Sequence, residues 1–400
     1  MGFSSGVPLL LIGSTLKAVL TENGIDLKTI GFFSLVGMPY IWKFVWSPMM
    51  DRFVPLSLGR RRSWLLISQI GLIVAIVALS FVNPKTDLPL LAALAMLVAF
   101  FSASQDIVVD AYRRDVLSDL TLPIGISLYV FAYRIALMAT GAGALILADH
   151  LSWRHTYWVM ASLMIVGVVT TLVAPEPNLP TAIPKSFKEA VVLPFREFFK
   201  RDGVMNAILI LAFVLFYKLG EQMASEMYVT FLLKVGFTKT EIGTVAKLLA
   251  TWSMIAGGIL GSFLIIRLNL YRSLWIFGIL QSGAILIFSV LATVGPSVPL
   301  LAVAMCSENF ASGMASTAYL TFMAIQTNRR FSATQYAILA SLMGVPRILF
   351  SASTGVLAEF FGWPGFFVAC ACFTIPGLVL LPFVKKFIRG ELAPLTPFPK

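Results

Sequence analysis

Leu147-Ala-Asp-His-Leu-Ser-Trp153 returns as Leu357-Ala-Glu-Phe-Phe-Gly-Trp363, 210 residues further along the chain. Pro89-Leu-Leu-Ala92 returns as Pro299-Leu-Leu-Ala302 at the same offset, Ile30-Gly31 as Ile242-Gly243 at 212, and Arg134 as Arg347 at 213. Short apolar strings recur by chance. Four matches near one offset, at equivalent places in two halves, mark an internal repeat.

The repeat lies in a chain of 400 residues that is 58% hydrophobic and only 12% charged, with a mean hydropathy of +0.88. Soluble domains carry about 25% charged residues, so this chain has too few charges to cover a soluble surface. It reads as an all-α polytopic membrane protein. A helix needs about 20 apolar residues to cross the hydrocarbon core, and twelve such spans are legible, at about 2–21, 28–49, 63–82, 89–112, 122–148, 154–174, 204–233, 240–265, 271–294, 298–325, 332–358 and 364–386. The basic, proline-bearing stretch 175–203 divides them six and six, and Phe187–Lys200 within it has the pattern of an amphipathic surface helix. The expected domains are a six-helix bundle over 1–174, a cytoplasmic linker over 175–203, a second bundle over 204–390 and a cytoplasmic tail over 391–400. Two pseudo-symmetric six-helix bundles of like orientation form the major facilitator fold, in which the halves rock about a midplane site.

Of thirty lysines and arginines, nineteen fall in loops after even-numbered spans or in the tail, and five in loops after odd-numbered ones. The positive-inside rule then places both termini in the cytoplasm. This bias accounts for the net charge of +11 without invoking nucleic acid. Cys306, Cys370 and Cys372 lie in apolar spans and read as buried hydrophobes, and the two histidines share one loop, so no metal site is expected.

Eight ionisable side chains stand inside apolar runs: Lys43, Asp106, Arg134, Lys218, Glu221, Lys247, Glu308 and Arg347. A charge at membrane depth costs at least about 2.5 kcal/mol on insertion scales, and is kept where it pairs, lines a wet cavity or does chemistry. Span four ends Gln105-Asp106-Ile-Val-Val-Asp110-Ala-Tyr-Arg113-Arg114-Asp115. Asp106 and Asp110 share a helix face. Asp110 is four residues from Arg114 and is expected to pair with it near the interface. Asp106 lies about 10 Å deeper than the interface, at ~1.5 Å per residue; it is a candidate proton carrier, with a structural pair to Arg134 or Lys43 as the plainer alternative. Glu308, beside Asn309 in span ten, is the second candidate carrier.

Arg134 and Arg347 occupy repeat-equivalent positions. They read either as a forked clamp for an anionic substrate or as partners of Asp106 and Glu308. Gln105 and Asn309 offer amides to sugar hydroxyls, and Lys247 offers a cation to Glu308 or to a substrate carboxylate. Tyr129 and Tyr217, with Tyr40, Trp42, Tyr133 and Trp252, supply rings for sugar faces, packing being the plainer reading of any one of them. Lys218 and Glu221 are three apart, which suits a local ion pair in a gate. Between spans two and three, Asp51-Arg52 is followed by Gly59-Arg60-Arg61-Arg62. Asp51 is expected to latch onto Arg113 or Arg114, and Arg60–Arg62 to act as interface anchors. No Walker loop, dinucleotide fingerprint or catalytic triad is present in the sequence, so an ion gradient or passive transport is expected rather than an enzyme or a bound cofactor.

Several longer strings are specific: Gly2-Phe-Ser-Ser-Gly-Val-Pro-Leu9, Lys43-Phe-Val-Trp-Ser-Pro-Met-Met-Asp-Arg-Phe53, Ala103-Ser-Gln-Asp-Ile-Val-Val-Asp-Ala111, Tyr217-Lys-Leu-Gly-Glu221 and Phe331-Ser-Ala-Thr-Gln-Tyr-Ala337. Together they make the chain resemble the AmpG-type muropeptide permeases of Gram-negative bacteria over nearly its whole length. The resemblance implies an inner-membrane symporter, and a monomer is expected. It would import N-acetylglucosaminyl-1,6-anhydro-N-acetylmuramyl peptides with protons for peptidoglycan recycling, and so feed β-lactamase induction. The rival expectations are a carrier of another amphipathic anion, such as a coenzyme A ester or a drug, and a non-transporting sensor on the same scaffold.

Overall fold

The computed structural model describes residues 1–25, 29, 32–177, 187–201, 203–238, 241, 242, 245, 249–345 and 351–388. Regular structure among them is entirely helical. With no water in the hydrocarbon core, each backbone N–H and C=O must be satisfied within its own segment, and a helix does this. Ten stretches, from Gly2–Glu22 to Thr354–Phe387, are long and apolar enough to cross a membrane, and Leu35–Val45 is a shorter apolar one.

The first half opens with α1 (Gly2–Ile12) and α2 (Ser14–Glu22), which meet at Gly13. The second expected span is assembled from short pieces, including α3 (Met38–Trp42) and α4 (Ser47–Arg52), each with proline near its start. Then come α5 (Arg60–Leu79), α6 (Leu88–Val116), α7 (Leu122–Met138), α8 (Ala144–His150), α9 (Trp153–Leu163) and α10 (Ile165–Val173). A π-helical turn, Ala139–Gly143, joins α7 to α8. The second half follows α11 (Phe187–Arg201) with α12 (Val204–Phe216), α13 (Leu219–Val235), α14 (Ala250–Leu268), α15 (Leu270–Val294), α16 (Val298–Ile325), α17 (Ser332–Val345), α18 (Ser351–Cys372) and α19 (Ile375–Val384). Gly362 (φ 63°, ψ 171°) breaks α18 just before Pro364, where the sequence places the boundary between spans eleven and twelve.

Two compact units emerge from the packing. One comprises Met1–Val116, Leu128–Pro194 and Asn328–Ser341; the other comprises Leu117–Ser127, Phe195–Thr327 and Leu342–Lys400. Each has its own apolar core. In the first, Val7, Leu11, Leu72, Val98 and Met164 are buried together; in the second, Phe231, Ile285, Phe288, Phe366 and Phe367 are.

Lipid tails are as apolar as leucine, so close packing must hold membrane helices together, and small residues permit it. Gly257-Gly-Ile-Leu-Gly261 on α14 meets α16 backbone to backbone. A methyl on Gly257 would overlap the Phe310 carbonyl oxygen, one on Gly313 would overlap that of Met254, and one on Gly261 would lie 2.9 Å from Met314 Cα.

Helix breaks free carbonyls, which tyrosines satisfy. Near Gly13, Tyr157 Oη donates to the Leu11 carbonyl (3.1 Å). Near the Tyr217–Lys218 break between α12 and α13, Tyr319 Oη donates to the Val214 carbonyl (2.5 Å).

Candidate functional site

In the first unit, α1 carries glycine where it crosses α7. A Cβ on Gly6 would lie 2.5 Å from the Tyr133 carbonyl oxygen. This close approach keeps Ser5 of α1 at the polar end of α6, where Gln105 Nε2 donates to Ser5 Oγ (3.3 Å). Asp106 follows, with Lys43, Asp110, Ser5 and Arg113 around it and Tyr40 and Tyr129 beside it. Its Oδ1 is shut off from solvent without a hydrogen-bond partner, as is Gln105 Oε1. An unsatisfied acceptor in low dielectric costs about 1–3 kcal/mol, so both oxygens are poised for a donor. Lys43 is buried. Arg134 is half-buried on α7, one residue after Tyr133.

Two turns along α6 from Asp106, Arg113 Nη2 donates to Asp110 Oδ1 (2.8 Å) and to Tyr336 Oη (3.1 Å). Its guanidinium lies over the Tyr129 ring, 4.6 Å from the centroid. This corrects the expected pairing of Asp110 with Arg114: the i,i+3 partner is taken instead.

The loop between α4 and α5 differs from expectation in a second way. Asp51 does not reach Arg113; its ion pair is with Arg61 (3.0 Å), which also pairs with Asp115 (2.7 Å), all three side chains being 0% exposed or nearly so. Arg61 is therefore no interface anchor. Its fork holds two carboxylates at once, a geometry open to a guanidinium and closed to an ammonium. Ser332 Oγ stands within 2.6 Å of Arg61 Nη2 and 2.8 Å of Asp115 Oδ1. Asp51 also accepts from the Thr334 N–H (2.8 Å), the Thr334 hydroxyl (2.7 Å) and the Ala333 N–H (3.3 Å). Those two backbone groups lie in the first turn of α17, where helical N–H groups lack partners and a negative charge is favoured. Arg60 Nη1, buried beside them, donates to the Asp51 carbonyl (2.9 Å).

In the second unit, Lys218 ends the break between α12 and α13 and pairs with Glu221. Glu221 Oε1 accepts from Ser312 Oγ of α16 (2.6 Å). Glu308, one turn along α16 and 3% exposed, accepts from Gln281 Nε2 of α15 (3.2 Å) and from its neighbour Asn309 Nδ2 (2.9 Å). Lys218, Glu221 and Tyr228 surround Glu308. Two carboxylates thus share one described ammonium. Counted over the described residues alone, two acids face one lysine.

Tyr217 does not stand ready for a ligand. It is 5% exposed, stacks on Tyr319 at 5.6 Å, and donates its hydroxyl to the Leu274 carbonyl (2.9 Å). Its aromatic ring fills the core because Gly377 lets α19 approach its backbone. Trp42 and Trp252 are more than half exposed. Lys247 and Arg347 lie outside the described residues.

The structure adds Ser5, Asp115, Tyr228, Gln281, Ser312, Ser332 and Thr334 to the residues given a role from sequence, and gives Arg61 a different one. Gln281 had a readable signal, an amide stranded in an apolar span; the hydroxyl groups had none. No group of three or more histidine, cysteine or acidic side chains able to hold a metal occurs among the described residues.

A profile of the Major Facilitator Superfamily matches residues 1–351. The anhydromuropeptide permease of Escherichia coli K12 is 44% identical over 391 residues, covering 97% of this chain and 79% of the permease. Among solved structures, the proton:xylose symporter XylE bound to 6-bromo-6-deoxy-D-glucose matches with a TM-score of 0.72 at 11% identity, covering 97% of this chain and 92% of the symporter. The transporter FucP in its outward conformation matches with a TM-score of 0.68 at 12% identity, covering 96% and 97%. These two likenesses concern the fold.

Proposed function

Since the chain belongs to the Major Facilitator Superfamily, a family of multi-pass membrane transporters, we propose that it imports anhydro-muropeptides from periplasm to cytoplasm, driven by the proton gradient. The observation that carries the substrate assignment is the 44% identity to an anhydromuropeptide permease over 97% of this chain. The protein sits in a bacterial inner membrane with both termini cytoplasmic, acts as a monomer, and needs no cofactor besides the gradient.

The polar clusters suit such a cargo. A disaccharide peptide presents hydroxyls, amides and carboxylates, and each loses water on entering a membrane protein, so each needs a replacement partner. Gln105 has a buried oxygen without a donor, and Asn309 stands beside it in role, in the second unit. Tyr129 offers a ring, while Arg134, with Lys247 and Arg347, offers cations to peptide carboxylates.

Asp106 and Glu308 are the proposed proton carriers. Asp106 keeps one oxygen unpartnered, and Glu308 stands with a second acid, Glu221, and one lysine, Lys218, among the described residues. Protonation discharges either carboxylate and frees the neighbouring cations and amides for the substrate. The Asp51–Arg61–Asp115 network, joined by Arg113 and Asp110, acts as the gate: it ties the α4–α5 loop to the first turn of α17 and must part when that turn moves.

The test is uptake of radiolabelled anhydro-muropeptide into proteoliposomes, with and without an inward proton gradient. Accumulation that collapses on adding a protonophore supports the symporter. Equal uptake with and without the gradient discards proton coupling. No uptake by folded protein discards the substrate.

A further inference from the structure

The helix α11 (Phe187–Arg201) serves none of the roles above. Its side chains divide sharply. Pro194 and Phe198 are buried, the Pro194 carbonyl accepts from Gln335 Nε2 (3.0 Å), and Arg201 Nη2 donates to the Gln326 carbonyl (2.7 Å). That face is bolted to protein. The other face carries Val192, Phe195, Arg196, Phe199 and Lys200, at the i, i+3, i+4, i+7, i+8 positions that share one side of a helix. Val192 is 47% and Phe195 38% exposed; Arg196 and Lys200 are exposed, and neither has an ion-pair or hydrogen-bond partner among the described residues. Glu197, the neighbour of Arg196 in sequence, pairs with Arg201 (3.7 Å).

Chain geometry limits where the end of this helix lies. α11 ends at Arg201 and α12, an apolar span, begins at Val204, so three Cα–Cα steps, at most about 11 Å, separate them. Gly203, at φ 90°, is the N-cap of α12. The last turns of α11 therefore lie at the membrane–water boundary, next to Val204 and Met205, which are 59% and 70% exposed. A helix with apolar rings and unpaired cations on one face, lying at that level, has the chemistry of an interfacial anchor for anionic lipid.

We propose that α11 binds anionic phospholipid headgroups of the adjacent leaflet: Arg196 and Lys200 take the phosphates, while Val192, Phe195 and Phe199 enter the headgroup–acyl boundary. Among the described side chains of the helix, residues 191–201, the charge on this face is one-sided: Arg196 and Lys200 face outward, and the acid Glu197 is paired.

Native mass spectrometry of the full-length protein, with phosphatidylglycerol competing against phosphatidylcholine, reads this directly and requires no transport substrate, so its outcome is independent of the muropeptide assignment. The wild type is expected to retain phosphatidylglycerol in preference, and R196Q/K200Q to lose about 25-fold of that preference, each basic residue at an anionic surface contributing about 5-fold. R196K, which keeps the charge, is expected to keep the preference. Hydrogen exchange across residues 187–201 is expected to slow when phosphatidylglycerol is added to phosphatidylcholine nanodiscs. An unchanged preference in R196Q/K200Q overturns the proposal. So does protection that follows protein concentration rather than lipid charge, which assigns the face to a second copy.

Discussion

Arg61 is the residue on which two buried carboxylates depend. Removing one partner of a buried pair strands the others, at a cost of about 3–5 kcal/mol. Arg61→Gln is therefore expected to lower the unfolding temperature in detergent steeply, and Arg61→Lys to recover part of the loss by returning the charge without the fork; a silent Arg61→Gln would remove the network from the account. Asp106→Asn is expected to do the reverse. It leaves the fold intact, abolishes accumulation driven by the proton gradient, and preserves substrate exchange at equal concentrations. Proteoliposome uptake and counterflow separate the two, and accumulation surviving in Asp106→Asn would move the coupling role to Glu308. At this scale the sequence was informative wherever a lone charge interrupted an apolar run, as at Lys43, Asp106 and Glu308. It misled at Arg61, because three successive arginines at a loop end are what topology alone requires, and burial of the middle one leaves no trace in composition. The Asp110 pairing was misjudged for a related reason. Positions i+3 and i+4 share a face, and the choice between Arg113 and Arg114 depended on Tyr129 and Tyr336, which are distant in sequence.

Among the elements, α14 and α16 show how far glycine spacing can be read. Gly257→Val places atoms inside the Phe310 carbonyl, and overpacking of this kind costs about 1–3 kcal/mol; a lower melting temperature without loss of helical circular dichroism is the expected result. Tyr319→Phe leaves the Val214 carbonyl beside the α12–α13 break without its donor, worth about 1–3 kcal/mol, and is checked by the same melting experiment. The apolar lengths of the spans, and the division at Gly362 and Pro364, were legible because bilayer thickness and backbone chemistry dictate them. The break at Tyr217–Lys218 was not. Neither residue is a helix breaker, and the interruption exists because Gly377 and Gly220 let α19 and α18 press on it.

For the molecule as a whole, orientation rests on the distribution of lysine and arginine, and it has a direct check. With the native cysteines replaced, Ser57→Cys and Lys85→Cys lie at exposed positions in successive loops. A membrane-impermeant maleimide is expected to label the second in spheroplasts, and the first only after lysis; the opposite result would invert the protein. The repeat at offset 210 anticipated twelve spans and two like halves, and the family comparison agrees with that fold. Among the described residues, Lys43 and Arg113 stand about Asp106 in the first unit, and Lys218 stands with Glu221 and Glu308 in the second. The glycine seam between α14 and α16 carries one last implication, for measurement. Two helices whose main chains touch have no side-chain layer in which to slide, so they form a single rigid rod. A pair of spin labels, one on each, should report one unchanging distance throughout the working cycle, which makes the rod an internal ruler against which displacement elsewhere can be gauged.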